Sequence, residues 1–412
     1  MRKPSGYVCR TGPARTALLA LGGMLMTAVA AASPPLQYER QPLALPGETV
    51  VVQVPAGQRL ELLTAALDGP RLLSFAADGE LFIGSRSGKV YRLAPPYTAA
   101  DVLVEPGGYP HSVARRAGEI LIARTDGLYR ADYEPGQARI APAALSRLAA
   151  LPGGSGHNSR SVAIGPDGHV YLSLGIRGNC SDEYLGDDYP FDARRGGILV
   201  LNEAADPPRW EAYGSGLRNP VGFDWHPRTG ELYASNNGPD HHGYAQPPEY
   251  FSRITAGSFH GMPWFQFDGE RLRRDACIKR PPPRPLRDVT LPVATFPARN
   301  APMGVAFVPA GALGGMFDFD AVVALRGSWG TQPDGGFAGD AATRRPPKLV
   351  RVRFEGGQAR AVEDLVTGFQ AEDGRRWARP VGVAVGPDGA LYFTSDSGVN
   401  GLFRLTWRGR GD

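Results

Sequence analysis

The sequence predicts an all-β fold, a six-bladed β-propeller, and three observations carry that expectation. The first is a hairpin unit that recurs along the chain: an apolar strand, a turn of the Pro-Asp-Gly type, and a second strand containing Leu-Tyr or Val-Tyr. The second is the strand or strand pair that follows each copy, giving four strands per unit and six units, the arrangement of a closed ring of blades. The third is composition. Fifty-four glycines and 38 prolines are spread along 412 residues, so long uninterrupted helical segments are scarce. Pro142 to Leu151 is the best short helical candidate. A pair of β-sandwiches is the alternative architecture.

The copies run from Leu72 to Gly84, His111 to Arg124, Ser161 to Leu174, Leu217 to Asp240, Met303 to Arg326 and Val381 to Thr394. Asp78-Gly79, Asp167-Gly168 and Asp388-Gly389 mark the clearest turns. Following strands include Lys89–Leu93, Gly127–Arg130, Gly197–Leu201, Lys348–Phe354 and Gly401–Leu405. The spacing between copies is about 40 to 60 residues at first and nearer 80 between the fourth and fifth. The excess falls in Cys180–Asp192, Pro239–Pro248 and Phe265–Pro297, loop-rich insertions of the kind that carry function on a rigid scaffold.

Residues 1–32 read as a secretory signal peptide. Arg2, Lys3, Arg10 and Arg15 form a basic region, Thr16 to Ala30 an apolar run, and Ala30-Ala31-Ala32 a small-residue cleavage site. The expected product is periplasmic or secreted, with no membrane span in the mature chain, a 33–64 N-terminal extension and a 65–407 propeller. The leader holds four basic residues and no acidic ones. Without it the 45 to 41 excess of basic residues becomes an even balance, so the charge gives no case for nucleic acid as a partner. Cys180 and Cys277 remain, as one disulfide or as two buried thiols.

Both ends of the fourth hairpin lie opposite its turn, so Arg218 and Asn219 come near Asn237, Gly238 and Pro239. His157, ahead of the third hairpin, and His111, ahead of the second, fall at the same mouth of the ring. A histidine there could serve as a general base, because its ordinary pKa lies near neutrality. Arg218, Arg326 and Arg379 stand at channel-facing positions of three blades. Convergent guanidinium groups repel unless an anion joins them, which points to a polycarboxylate or phosphate. The carbonyls of Gly238 and Pro239 suit a hard cation such as calcium, with Asp240 either helping or capping the turn. His241-His242 invites a transition-metal reading for which the sequence offers no third soft ligand. No Gly-rich phosphate loop or nucleophile elbow is present.

The ordered set of motifs resembles the quinoprotein glucose/sorbosone dehydrogenases, the sorbosone branch more than the glucose one. The motifs are His157-Asn158-Ser159-Arg160 running into Pro166-Asp167-Gly168, Gly216-Leu217-Arg218-Asn219-Pro220, Asn237-Gly238-Pro239-Asp240, Arg253 to Trp264, Ala324 to Trp329, and Arg379 to Gly389. The resemblance implies a propeller that binds pyrroloquinoline quinone (PQQ) with calcium and oxidises a sugar or hydrated sugar aldehyde. It makes His157 the base. Arg218 and Asn219 become quinone contacts, Gly238 and Pro239 calcium ligands, and Arg326 and Arg379 partners of the cofactor. Electrons then pass to an external acceptor. A calcium-dependent lactonase-type hydrolase and a non-catalytic glycan- or protein-binding propeller are the alternatives. The first would need carboxylate and amide side chains converging on the metal, where the sequence offers mainly arginines and carbonyls.

Overall fold

The computed structural model describes residues 35–408; the leader expected over residues 1–32 lies outside the described residues. Six small antiparallel sheets form a ring. Blade I holds Pro70–Phe75, Leu81–Ser85, Val90–Leu93 and Asp101–Val104. Blade II holds Ser112–Arg116, Glu119–Arg124, Gly127–Asp132 and Ser146–Ala150. Blade III is built from Arg160–Ile164, Val170–Leu174, Gly197–Asn202 and Arg209–Ser215, and blade IV from Phe223–Trp225, Leu232–Asn236, Glu249–Ile254 and Ala294–Phe296. Blade V contains Pro302–Phe307, Ala321–Leu325, Lys348–Glu355 and Gln358–Val366. Blade VI joins Ala378–Val385 and the long strand Leu391–Trp407 to Gln58–Thr64 from the start of the chain. Among the described residues, no helix is long and apolar enough to cross a membrane.

The recurring Asp-Gly turn has a physical basis. Asp167 and Asp388 each accept a bond from the backbone N–H two residues on, and Gly168 and Gly389 take the positive φ that closes the turn. The tyrosine of the second strand then returns to the same carboxylate, Tyr171 to Asp167 and Tyr392 to Asp388, both at 2.7 Å.

Neighbouring blades bury their faces against each other. Phe82, Val90 and Leu103 of blade I pack with Val113, Ile120 and Ile122 of blade II, and Tyr233, Phe251 and Phe296 of blade IV with Val305, Phe307 and Val323 of blade V. Hydroxyls bridge neighbouring blades. Ser112 donates to the Arg160 carbonyl, Ser161 to that of Val221, Ser235 to that of Met303 and Thr394 to that of Arg71. The inner strands of all six blades line a central cavity of about 410 Å³.

Two sequence expectations change. Pro142–Leu151 is not a helix: a single 3-10 turn at Pro142–Ala144 leads into the strand Ser146–Ala150, which pairs with Gly127–Arg130 as the outer edge of blade II. Edge pairing and burial of Ala149 and Leu151 outweigh alanine's helix preference there. Gln58–Thr64, assigned from sequence to the N-terminal extension, closes the ring by pairing with the end of the chain. Ahead of it lies the hairpin of Tyr38–Leu45 and Glu48–Pro55, which is bonded to Thr367 beyond blade V through Gln53.

Candidate active site at the channel mouth

Register fixes which residues meet. Pro70 pairs with Ser85, Ser112 with Ala123, Arg160 with Leu174, Pro302 with Leu325 and Pro380 with Ser395. The head of each inner strand therefore lies beside the exit of its second strand, at one mouth of the channel. Two groups of side chains gather there.

The first group belongs to blades III and IV. His157 Nδ1 meets the Ile176 carbonyl, so this nitrogen carries the proton and Nε2 keeps its lone pair. Arg160 is fully buried and holds the histidine's loop by donating to the carbonyls of Pro152, His157 and Ser159. Burial and the neighbouring Arg218 guanidinium push the His157 pKa down to about 3, against the Ile176 bond, which favours the charged ring. A Cβ at Gly175 would sit 2.7 Å from both His157 Cβ and the Asn219 amide oxygen. That oxygen is buried and accepts no hydrogen bond.

Arg218 donates to Asn179 Oδ1 at 2.6 Å, to the Asn237 carbonyl at 3.3 Å and to Asp240 at 3.1 Å. Asp240 is shared with Arg299, whose guanidinium is 3.4 Å away. The two arginines engage both carboxylate oxygens of Asp240, which thereby anchors the loop. Gly238 and Pro239 are buried, and among the described residues no donor reaches either carbonyl. The Gly238 N–H donates instead to Glu249, whose carboxyl burial pushes up to about 7.

The second group joins blades I, V and VI. Asp396 receives Arg71 at 2.6 Å and Arg326 at 2.9 Å, with Arg86 at 4.0 Å. Burial works against its charge, but Arg71 and Arg326 hold its pKa below the usual carboxylate value. Arg379 donates to the carbonyls of Arg326 and Gly327, both at 2.9 Å. Burial and then Arg326 depress it to about 9. One carboxylate thus serves a cluster with more guanidinium charge than it can neutralise, and the buried Arg71 Nε has no partner. Between the groups, His111 is fully buried, meets the Arg160 carbonyl at 3.2 Å, and is kept neutral by burial and Arg71.

Of the sequence candidates, His157, Arg218, Asn219, Gly238 and Pro239 come together, as do Arg326 and Arg379. Arg218 makes its contacts in the first group and not with the other two arginines. Sequence reasoning missed Arg71, Asp396 and Asn179. Arg71 had a signal, since it heads the first inner strand as Arg379 heads the last, whereas Asp396 lies within the long strand Leu391–Trp407, past the end of the hairpin repeat, with nothing to mark it. Asn179 sits immediately ahead of the Cys180–Asp192 insertion, with no repeat position to mark it.

The mouth can bind an oxyanion-rich ligand against its arginines and a hard cation against its free carbonyls, beside an uncharged base. Known proteins share the frame. The PQQ domain of a Coprinopsis cinerea pyranose dehydrogenase, in its holo form, superposes with a TM-score of 0.69 at 20% identity, over 88% of this chain and 98% of that one. A calcium structure of a Trichoderma reesei carbohydrate-active enzyme of family AA12 gives 0.70 at 18%, over 86% and 96%. The soluble aldose sugar dehydrogenase of Escherichia coli, in its apo form, gives 0.60 at 16%, over 85% and 100%. An uncharacterised protein of Borreliella burgdorferi is 24% identical over 375 residues, 87% of this chain and 91% of its own. Residues 144–404, more than half of the sequence and every blade but the first in whole or part, match glucose/sorbosone dehydrogenase, and to that family this chain belongs.

Proposed function

We propose that the protein is an exported PQQ- and calcium-dependent dehydrogenase that oxidises the CH–OH group of an aldose or of a hydrated, sorbosone-like sugar aldehyde. The observation that carries the reading is the placement, at one mouth, of a neutral half-buried histidine, the unpaired carbonyls of the buried residues Gly238 and Pro239, and an arginine cluster with too little carboxylate. The carbonyls and the arginines lack partners, and a calcium-bound polycarboxylate would supply both beside the base. The residues fit the cofactor: a flat tricarboxylate suits Arg71, Arg326 and Arg379, the unpaired Asn219 oxygen faces the space beside His157, and calcium takes carbonyl oxygens such as those of Gly238 and Pro239.

When bound, the calcium-chelated quinone supplies the acceptor for the electron pair. The chain does the rest. The Ile176 carbonyl orients His157 so that Nε2 takes the proton of the substrate hydroxyl as hydride departs from the same carbon. Burial and Arg218 keep that nitrogen unprotonated before substrate arrives. A cyclic aldose yields a lactone and a hydrated aldehyde yields an acid, and the electrons leave to an external carrier. A hydrolytic calcium site would need several free carboxylate and amide oxygens converging on the metal; the Asn219 amide oxygen is free, but Asp240, Glu249 and Asn236 spend theirs on Arg218, Gly238 and the Asn219 N–H.

Reconstitution tests the proposal. Purified protein given PQQ and calcium should reduce an artificial dye when a sugar from an aldose panel is added, and should stop when either component is left out. Failure to bind PQQ at about micromolar concentration would overturn it.

A further inference from the structure

Three insertions that sequence spacing set apart meet on the outer side of the mouth. The first follows blade III's second strand, the second leaves blade IV's second strand, and the third comes back through Val289 to bridge Phe259 of the short strand Ser258–Phe259, which runs parallel beside Gly214 and Ser215. A Cys180–Cys277 disulfide joins the first to the third. The second is tied in by a different device: His241 Nε2 and His242 Nε2 both aim at a single oxygen, Asp275 Oδ2, at 2.9 and 3.0 Å. The rings lie 4.0 Å apart, tilted by 40°. The adjacent side chains therefore converge, and the third ligand missing from the sequence comes from Asp275, 34 residues from His241.

We propose that His241, His242 and Asp275 form a binding site for a borderline transition-metal dication, zinc or copper(II), separate from the calcium carbonyls of Gly238 and Pro239. The geometry is close to what such an ion needs. Tetrahedral zinc with bonds of about 2.0 Å spaces its ligand atoms about 3.3 Å apart, so a few tenths of an ångström of spreading would admit it. The three ligand atoms already lie within 4.8 Å of one another. Asp275 is buried and its other oxygen is fixed by the Cys277 N–H at 3.0 Å, whereas both histidines are exposed and reachable from solvent.

A second observation points the same way. Gln266 is only 5% exposed, approaches Asp275 Oδ2 through its amide nitrogen at 3.3 Å, and leaves its amide oxygen without a partner. It lines, with His242 and Asp275, a cavity of about 480 Å³ that leaves room for water in a fourth position. The cationic neighbours are already engaged: Arg273 pairs with Asp268, and Arg274 donates to the carbonyls of Trp264, Ile278 and Arg280. Two imidazoles and a carboxylate suit zinc or copper better than calcium, which takes oxygen ligands.

The test is metal binding to the purified full-length protein, independent of PQQ and of activity. After chelator treatment and dialysis into excess calcium, zinc chloride and copper(II) chloride are titrated separately by calorimetry, with thermal melts alongside. One ion should bind per chain and raise the melting temperature. His242→Ala, at an exposed position that leaves the fold intact, and Asp275→Asn should each weaken binding by about a hundredfold or more, since a lost ligand exceeds the cost of a lost supporting contact. Absence of stoichiometric binding by either ion, or undiminished binding by either variant, would overturn the site.

Discussion

In the proposed reaction His157 is the base. Replacing it with alanine should lower sugar-dependent dye reduction by about 10²-fold or more while leaving PQQ binding in place, because Arg71, Arg326 and Arg379 are untouched. An unchanged rate would remove its role as the base. His260 makes a different prediction. It is buried beside Ser258, 3.0 Å from its hydroxyl, and burial pushes its pKa down to about 4. An unfolded histidine titrates near 6.5, so between those values the unfolded chain binds the extra proton. Its cost to stability is absent at neutral pH and grows as pH falls. Asp224 and Glu249, raised by burial, act with the opposite sign, so a difference measurement is required. Urea unfolding should show the native protein losing about 2 kcal/mol more than His260→Gln between pH 7 and pH 5. Equal losses would contradict it.

At the scale of elements, the hairpin repeat was legible because its chemistry is local. Asp167-Gly168 and Asp388-Gly389 set their turns within a few residues, and Tyr171 and Tyr392 return to the same carboxylates. What joins one blade to the next was not legible. Gly222 reads as one more small residue in a strand, yet a Cβ there would sit 2.2 Å from the Met303 carbonyl of blade V. Gly222→Ala should therefore destabilise the protein by about 2 kcal/mol or more in urea unfolding; a loss below measurement would show that the two blades can part at no cost. The candidate site divides in the same way. His157, Arg218 and Gly238-Pro239 sit in recognisable motifs, whereas Asp396 and Asn179 become visible only when distant segments meet. The helix expected at Pro142–Leu151 failed because the outer edge of blade II needed a strand.

At the scale of the whole molecule, the ring closes through the pairing of Gln58–Thr64 with residues 402–407. That contact joins the two ends of the sequence, and no local pattern announces it. A chain begun just ahead of Gln58 should keep a single cooperative thermal transition, although it loses the Tyr38–Pro55 hairpin. One begun after Thr64 should lose that transition, because blade VI is left with an uncovered edge. Equal melts for the two would place closure elsewhere. Closure also assembles the arginine cluster, since blades VI and I must abut for Arg71 and Arg326 to share Asp396. The most direct measurement is the absorption spectrum of protein reconstituted with PQQ and calcium, recorded without acceptor before and after addition of an oxidisable aldose. Loss of the oxidised quinone's absorbance on mixing, in native protein and far more slowly in His157→Ala, is the predicted result. A spectrum that no aldose or sugar aldehyde alters would contradict the account.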